Sequence, residues 1–255
     1  MTTIDLNCDL GEEIMLNGLP VEPMIMPWIS SVNISCGRHA GNEDTIKQTI
    51  SLAMEHNVAI GAHPSYDDRK GFGRRYIAMS AKELKELMGE QLDRFMAIAE
   101  NMEAKVHHFK PHGALYNAAA VQKEIAEVIT EVLNETAPHL KLFAPPESIL
   151  AATAREAGLA VIGEAFADRA YNDDGTLVER TREGAVISDI KQMVERCTLL
   201  ARHQRVKTIG GNLINLQAGS ICVHGDNPLA LEFLKSLHKT FDSENINIAP
   251  PSEIP

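Results

Sequence analysis

Six short stretches of this chain end in side chains that can move protons, bind anions or hold a cation. They are Asn7, Asp9 and Glu12 in "DLNCDLGEE", Asn33 and His39 in "NISCGRHAGN", His63 at the head of "GAHPSYDDRKGFGRR", Lys110, His112, Tyr116 and Asn117 in "FKPHGALYN", Glu164, Asp168 and Arg169 in "GEAFADRAYNDDG", and His224 and Asp226 in "ICVHGDNP". A single histidine after a strand commonly does no more than satisfy loop backbone. Six stretches that all deliver such groups point to one active site. The chemistry they suit is hydrolysis or acyl transfer. Asp9 and Glu12 can serve as base or as metal ligands. His63 and His112 titrate near neutral pH, and Lys110 can neutralise a developing oxyanion. Asp9 with His63 and His112 is a sensible donor set for a divalent metal. In the third stretch Arg74 and Arg75 follow Gly71 and Gly73, which let backbone approach a ligand. Arginine binds carboxylate or phosphate through paired hydrogen bonds, so an anionic substrate is expected there. Arg69 and Lys70 read as solvated charges.

The elements that must position these groups are legible from periodicity. Apolar runs at 3–9, 30–36, 58–63, 105–111, 140–144, 160–166 and 219–224 read as strands, each followed by a stretch of helical period. Ser80 and Glu83 form a capping box before a helix with an apolar stripe at 84, 87, 88, 92, 95, 96 and 99. Asn42 and Ser188 are expected to cap two more helices, Asn227-Pro228 to open another, and Pro146 and Gly158 to bound a fifth. Such alternation implies parallel strands joined by crossover helices. With no linker or repeat, it predicts one domain over 1–255, an α/β fold of the (β/α) barrel kind, with an open doubly wound sheet as the alternative. In either fold the polar groups gather at the carboxyl ends of the strands. The proline-rich tail "INIAPPSEIP" reads as a loose end or a docking strap.

Bulk properties narrow the class. The 255 residues carry net charge −11 and only 5% aromatics. That disfavours nucleic acid and anionic membranes as partners. No apolar stretch is long enough to span a bilayer, and the N-terminal residues show no signal-peptide pattern. Cys8, Cys36, Cys197 and Cys222 form no CxxC pair. They read as reduced thiols of a cytoplasmic protein. HExxH, GxxxxGK[ST], GxGxxG and GxSxG are all absent, which removes zincin, Walker-type, dinucleotide and serine-hydrolase readings.

The same stretches, taken with "KPHGALYN" and "EAFADRAY" in this order across nearly the whole chain, resemble the LamB/YcsF family. The resemblance implies an irregular seven-stranded barrel like those of the glycoside hydrolase/deacetylase superfamily. It implies the A subunit of an ATP-dependent 5-oxoprolinase, which converts 5-oxo-L-proline, ATP and water to L-glutamate, ADP and phosphate with subunits B and C. On that reading ATP is a co-substrate, and Asp9, Glu12, His63, Lys110 and His112 carry the chemistry. His39, Arg74, Arg75, Tyr116, Asn117, Glu164, Asp168, Arg169, His224 and Asp226 hold the substrate, whose carboxylate suits Arg74 or Arg75. A self-sufficient metal-dependent deacetylase and a binding subunit without catalysis are the competing readings. The family pattern reads GEGFG where this chain has Gly11-Glu12-Glu13-Ile14, and CGFHAGD where it has Arg38 and Asn42. Two readings of Glu13 and Arg38 are open: they pair with each other, or they alter the substrate.

Overall fold

The computed structural model describes residues 2–251. Its centre is seven parallel strands: β1 (Thr2–Leu10), β2 (Ser31–Ser35), β3 (Ala59–His63), β4 (Val106–Phe109), β5 (Lys141–Ala144), β6 (Val161–Phe166) and β7 (Ser220–His224). Each pairs with the next, and β7 pairs with β1 from Asp5↔Ser220 to Asp9↔His224. The sheet therefore closes into a barrel, and the open alternative falls. Helices α1 (Glu43–Glu55), α2 (Ala81–Asn101), α3 (Gly113–Val121), α4 (Lys123–Thr136), α5 (Ile149–Glu156), α6 (Ile190–His203) and α7 (Ala230–Ser243) lie in the connections between the strands. Among the described residues, no helix is long and apolar enough to cross a membrane.

Local sequence explains most of the element ends. Ser80 and Glu83 make both halves of the capping box before α2, and the helix buries Leu84, Met88, Leu92, Phe95 and Ile98 along one side. Asn42 caps α1 by accepting from the Asp44 and Thr45 amides at 2.9 and 3.1 Å. Three expected starts shift. Asp189, not Ser188, caps α6, accepting from the Gln192 amide at 2.7 Å. Ser148 rather than Pro146 opens α5, and Gly158, at φ +82°, follows its end. Asn227 shapes the turn before α7, which starts at Ala230.

Some pairings carry no helix-period or strand-length signal. Residues 15–16 pair with 19–20, and the Gly-rich stretch near 210 supplies a ribbon of 205–207 with 213–215. Part of the tail is a strand: β8 (Ile246–Ile248) pairs parallel with Thr2–Ile4 of β1. The Pro251 carbonyl then accepts from Lys141 Nζ at 2.7 Å. The end of the expected strap, from 252 on, lies outside the described residues.

Side chains alternate across a strand, and that sorts the barrel into two environments. Leu6, Cys8 and Leu10 of β1 join the apolar core. Asp5, Asn7 and Asp9, on the other face, are buried in a hydrogen-bonded column. Asp5 accepts from Ser30 Oγ at 2.6 Å, Ser31 Oγ at 2.7 Å and Ser220 Oγ. Asn7 Nδ2 donates to Ser220 Oγ at 2.7 Å and Glu164 Oε1 at 2.9 Å. Asn33 Nδ2 donates to Asn7 Oδ1 at 2.7 Å and Asp9 Oδ1 at 2.8 Å, while its Oδ1 accepts from His108 Nε2 at 2.8 Å. The His108 ring occupies the space a side chain on Gly61 would need: a Cβ there would meet His108 Nε2 at 2.1 Å. Glycine in β3 is thus the condition for a histidine in the barrel interior.

Candidate active site

A cavity of about 860 Å³ opens at the carboxyl ends of the strands. Asp9, His63, Arg74, Lys110, His112, Tyr116, Asn117, Glu164, Arg169 and His224 line it. β1, β3, β4, β6 and β7 deliver half of these, because each carries its polar residue within two positions of its carboxyl end. Glu12, His39, Asp168 and Asp226 stand behind that lining and hold its members in place. Arg75 does not reach the cavity. It turns back to clamp Asp68 of its own loop through Nε and Nη2, and holds that carboxyl down to about 2. Arg74 stays at the cavity and pairs with Asp226 at 2.6 Å.

The floor is a charge cluster. Lys110 Nζ lies 2.9 Å from Asp9 Oδ1, 2.7 Å from Glu164 Oε1 and 3.3 Å from Asn7 Oδ1, with Cys222 Sγ at 3.2 Å. An ammonium has three protons, so these partners saturate it. What Lys110 presents to the cavity is its charge. Burial works against that charge, but Asp9, Cys222 and Glu164 hold the ammonium well above its usual pKa. Burial would likewise raise the Asp9 carboxyl; His63 and Lys110 outweigh it and keep Asp9 well below the usual carboxylate range.

The histidines can be assigned proton by proton. His63 Nδ1 lies 2.7 Å from the Lys110 carbonyl, and His112 Nε2 lies 2.9 Å from the Phe72 carbonyl. A carbonyl only accepts, so both outer nitrogens donate. The inner nitrogens, His63 Nε2 and His112 Nδ1, then face each other at 2.9 Å, with Asp9 Oδ2 at 3.3 Å from the former. Two lone pairs cannot meet at that distance. The contact requires a shared proton or a cation. His39 follows the same logic. Ser65 Oγ donates to the Tyr66 carbonyl at 2.8 Å and accepts from His39 Nδ1 at 2.9 Å. His39 Nε2 therefore faces Glu12 Oε1, at 3.0 Å, as an acceptor. Burial, then the Asp9 charge, pushes Glu12 up to about 8, so its carboxylic acid is the donor. Burial and His63 hold His39 well below the usual range. On the far wall His224 Nδ1 donates to Asp168 Oδ1 at 2.8 Å; Asp168 outweighs burial and raises His224.

Asp9, His63 and His112 offer metal-ligating atoms within 4.8 Å of one another, as do Asp9, Cys222 and His224, and Glu12, His39 and His112. The first set fits a divalent cation best, because its two facing imidazole nitrogens need a proton or a cation between them and each ring is oriented by a carbonyl.

Reading strand ends picked out Asn7 and Asn33 but missed two contributors, His108 and Arg180. Asn7 and Asn33 carry the column under Asp9, and His108 orients Asn33. The spacings Asp5-x-Asn7-x-Asp9 and Ser31-x-Asn33-x-Ser35 were the available signal, since period-two polar residues in a buried strand must face a polar interior. Arg180 also lines the cavity, from the segment between β6 and α6 that folds back through Arg169↔Val186 and Tyr171↔Leu177. Nothing in the residue pattern marked it.

The residues that depart from the family pattern do not pair as Glu13 with Arg38. Arg38 bridges Asp67 at 3.1 Å and Glu90 at 2.9 Å. Glu13 instead accepts from Asn42 Nδ2 at 2.8 Å. Two of the departures, Glu13 and Asn42, therefore contact each other.

The chain matches the LamB/YcsF family over residues 4–255. It is 40% identical to the 5-oxoprolinase A subunits of Bacillus thuringiensis subsp. konkukian and of Bacillus cereus, over 98% of this chain and 100% of each relative. The crystal structure of a lactam utilization protein from Thermus thermophilus superposes with TM-score 0.90 at 32% identity, covering 97% of this chain and 99% of that one. A GH113 β-1,4-mannanase, at 11% identity and TM-score 0.52 over 94% of this chain and all of that one, shares the fold alone.

Proposed function

Since the chain belongs to the LamB/YcsF family, we propose that it is the A subunit of a 5-oxoprolinase, which opens the lactam of 5-oxo-L-proline to L-glutamate. The observation that carries the reading is the cavity floor, where Asp9, Lys110 and Glu164 form a buried ion cluster beside the His63–His112 pair. A lactam is a stable amide, and its hydrolysis needs a placed water, a proton route and a field that favours negative charge on the carbonyl oxygen. Asp9, kept ionised beside His63 and Lys110, accepts the proton of the attacking water, next to the contact between His63 and His112. The saturated Lys110 ammonium supplies the field. Glu12, protonated at neutral pH, is poised as the acid that returns a proton to the departing nitrogen by way of His112, whose Nδ1 lies 3.6 Å from its Oε1. A divalent cation held by Asp9, His63 and His112 would add Lewis-acid activation of the water.

The finer reading includes ATP as co-substrate, with ADP and phosphate as products, subunits B and C as partners, and a cytoplasmic location. It is tested by glutamate release from 5-oxoproline, with and without ATP, by this chain alone and with those subunits. Glutamate that appears only with ATP and the full set supports it. Glutamate from the chain alone with added metal supports a self-sufficient hydrolase, which the Asp9–His63–His112 donor set favours. No glutamate from a folded complex overturns both.

A further inference from the structure

Six buried side-chain polar atoms lack a hydrogen-bond partner among the described residues. Three of them, Tyr116 Oη, Glu164 Oε2 and Arg169 Nε, belong to residues that line the cavity. Orphaned polar atoms cost stability, and a site that carries three is built to be completed by something else.

Each orphan has a defined requirement. Glu164 Oε1 is fixed by Asn7 Nδ2 at 2.9 Å and Lys110 Nζ at 2.7 Å. That aims an ionised carboxylate whose second oxygen accepts and cannot donate. Tyr116 stands beside the Glu164 carboxylate, near enough to interact with it but without a well-formed hydrogen bond; burial and that charge keep its hydroxyl protonated, so it has a proton to give. Arg169 is 8% exposed, and its Nη2 donates to the Val178 carbonyl at 2.7 Å. The other two arginines of the expected anion site are neutralised, Arg74 by Asp226 and Arg75 by Asp68. The carboxylate whose charge Arg169 feels, Asp168, is taken up by His224 at 2.8 Å, so the guanidinium has no paired anion of its own.

We propose that these three side chains read the three polar features of a carboxylated lactam: Glu164 accepts the ring N–H, Tyr116 donates to the ring carbonyl, and Arg169 takes the carboxylate. The assignment rests on the lactam reading above. A lactam is a cis amide, so its N–H and C=O point to the same edge, where an adjacent acceptor and donor meet both. The substrate class that follows is a small ring with a free amide N–H and one carboxylate. Arg74 and Arg75 hold loops instead.

The test is calorimetric titration of the full chain, alone and with its partner subunits, with 5-oxo-L-proline, its N-methyl derivative and 2-pyrrolidinone, which lacks the carboxylate. The wild type is expected to bind 5-oxoproline at least about tenfold tighter than either analogue. Arg169→Gln should weaken 5-oxoproline and leave 2-pyrrolidinone unchanged, and Arg169→Lys should recover part of the loss. Glu164→Gln should erase the preference for N–H over N-methyl. Binding of 5-oxoproline without discrimination between the analogues, or an Arg169→Gln effect equal on both ligands, overturns this assignment and leaves the lactam reading standing. Failure of the folded wild type to bind 5-oxoproline overturns both. If Glu164→Gln does not fold, the wild-type ligand series and the arginine pair decide.

Discussion

The floor and the wall of the cavity treat polar atoms in opposite ways. On the floor Asp5, Asn7, Asn33, Asp9 and Lys110 are buried and each is hydrogen-bonded, so one arrangement is fixed. On the wall Tyr116 Oη, Glu164 Oε2 and Arg169 Nε are buried and unmatched. Glu164 belongs to both, with one oxygen in each. The difference separates two uses of buried polarity. A satisfied network gives rigidity, whereas open valences cost stability and give recognition.

The sharpest way to break the comparison is to unbalance the floor. Lys110→Met removes the counter-charge of Asp9 and Glu164; we expect a loss of about 3–5 kcal/mol in denaturant unfolding and turnover at background. Turnover near the wild-type level would refute the charge-field role. Next in size is Gly61→Ala, whose Cβ collides with His108. Overpacking of this kind costs about 1–3 kcal/mol, and a thermal melt that does not move would show that the histidine is not wedged.

A third change reads the Glu12–His39 contact through pH. The folded pKa of Glu12 is raised from 4.5 to about 8 by burial and Asp9. A raised acid leaves stability intact below its unfolded value and erodes it as pH climbs through the folded one. Wild-type stability should therefore fall across pH 4.5 to 8, and Glu12→Gln should flatten that fall in chelator-treated protein. An unchanged slope would place the acidic proton elsewhere. The smallest effect on folding belongs to the wall. Tyr116→Phe deletes an unmatched hydroxyl, so stability should stay within about 1 kcal/mol while 5-oxoproline binding weakens. A large destabilisation would make Tyr116 part of the floor.

Much of this was legible in the residue order. All seven barrel strands fall within about two residues of their apolar runs, because a strand buried on its helix-facing side must be apolar at alternate positions. Closure was only implied, since pairing of β7 with β1 is a long-range fact with no local mark. The strand-end site was visible in residue type. The direction each side chain takes was not: Arg74 and Arg75 are neighbours with the same charge, and only the loop's geometry sends one to the cavity and the other to Asp68. Asn42 and Glu13 show the same limit. Glu13 sits at φ +59°, where the family pattern has glycine, and its bond to Asn42 offsets part of a strain that residue type alone could not reveal.

The closing seam also bears on how the protein is made. Asp5 and Ser220, hydrogen-bonded in the barrel interior, are 215 residues apart. Asp9 reaches its two flanking strands only when residue 224 has been synthesised. Until then a nascent chain carries β1 with one open edge and half-formed polar contacts, a state that invites chaperone capture or proteolysis. Contacts of such long range also slow folding. Ribosome-bound chains stalled before β7 should therefore be protease-sensitive along their whole length, and catalytic competence should arrive in one step with the final strands.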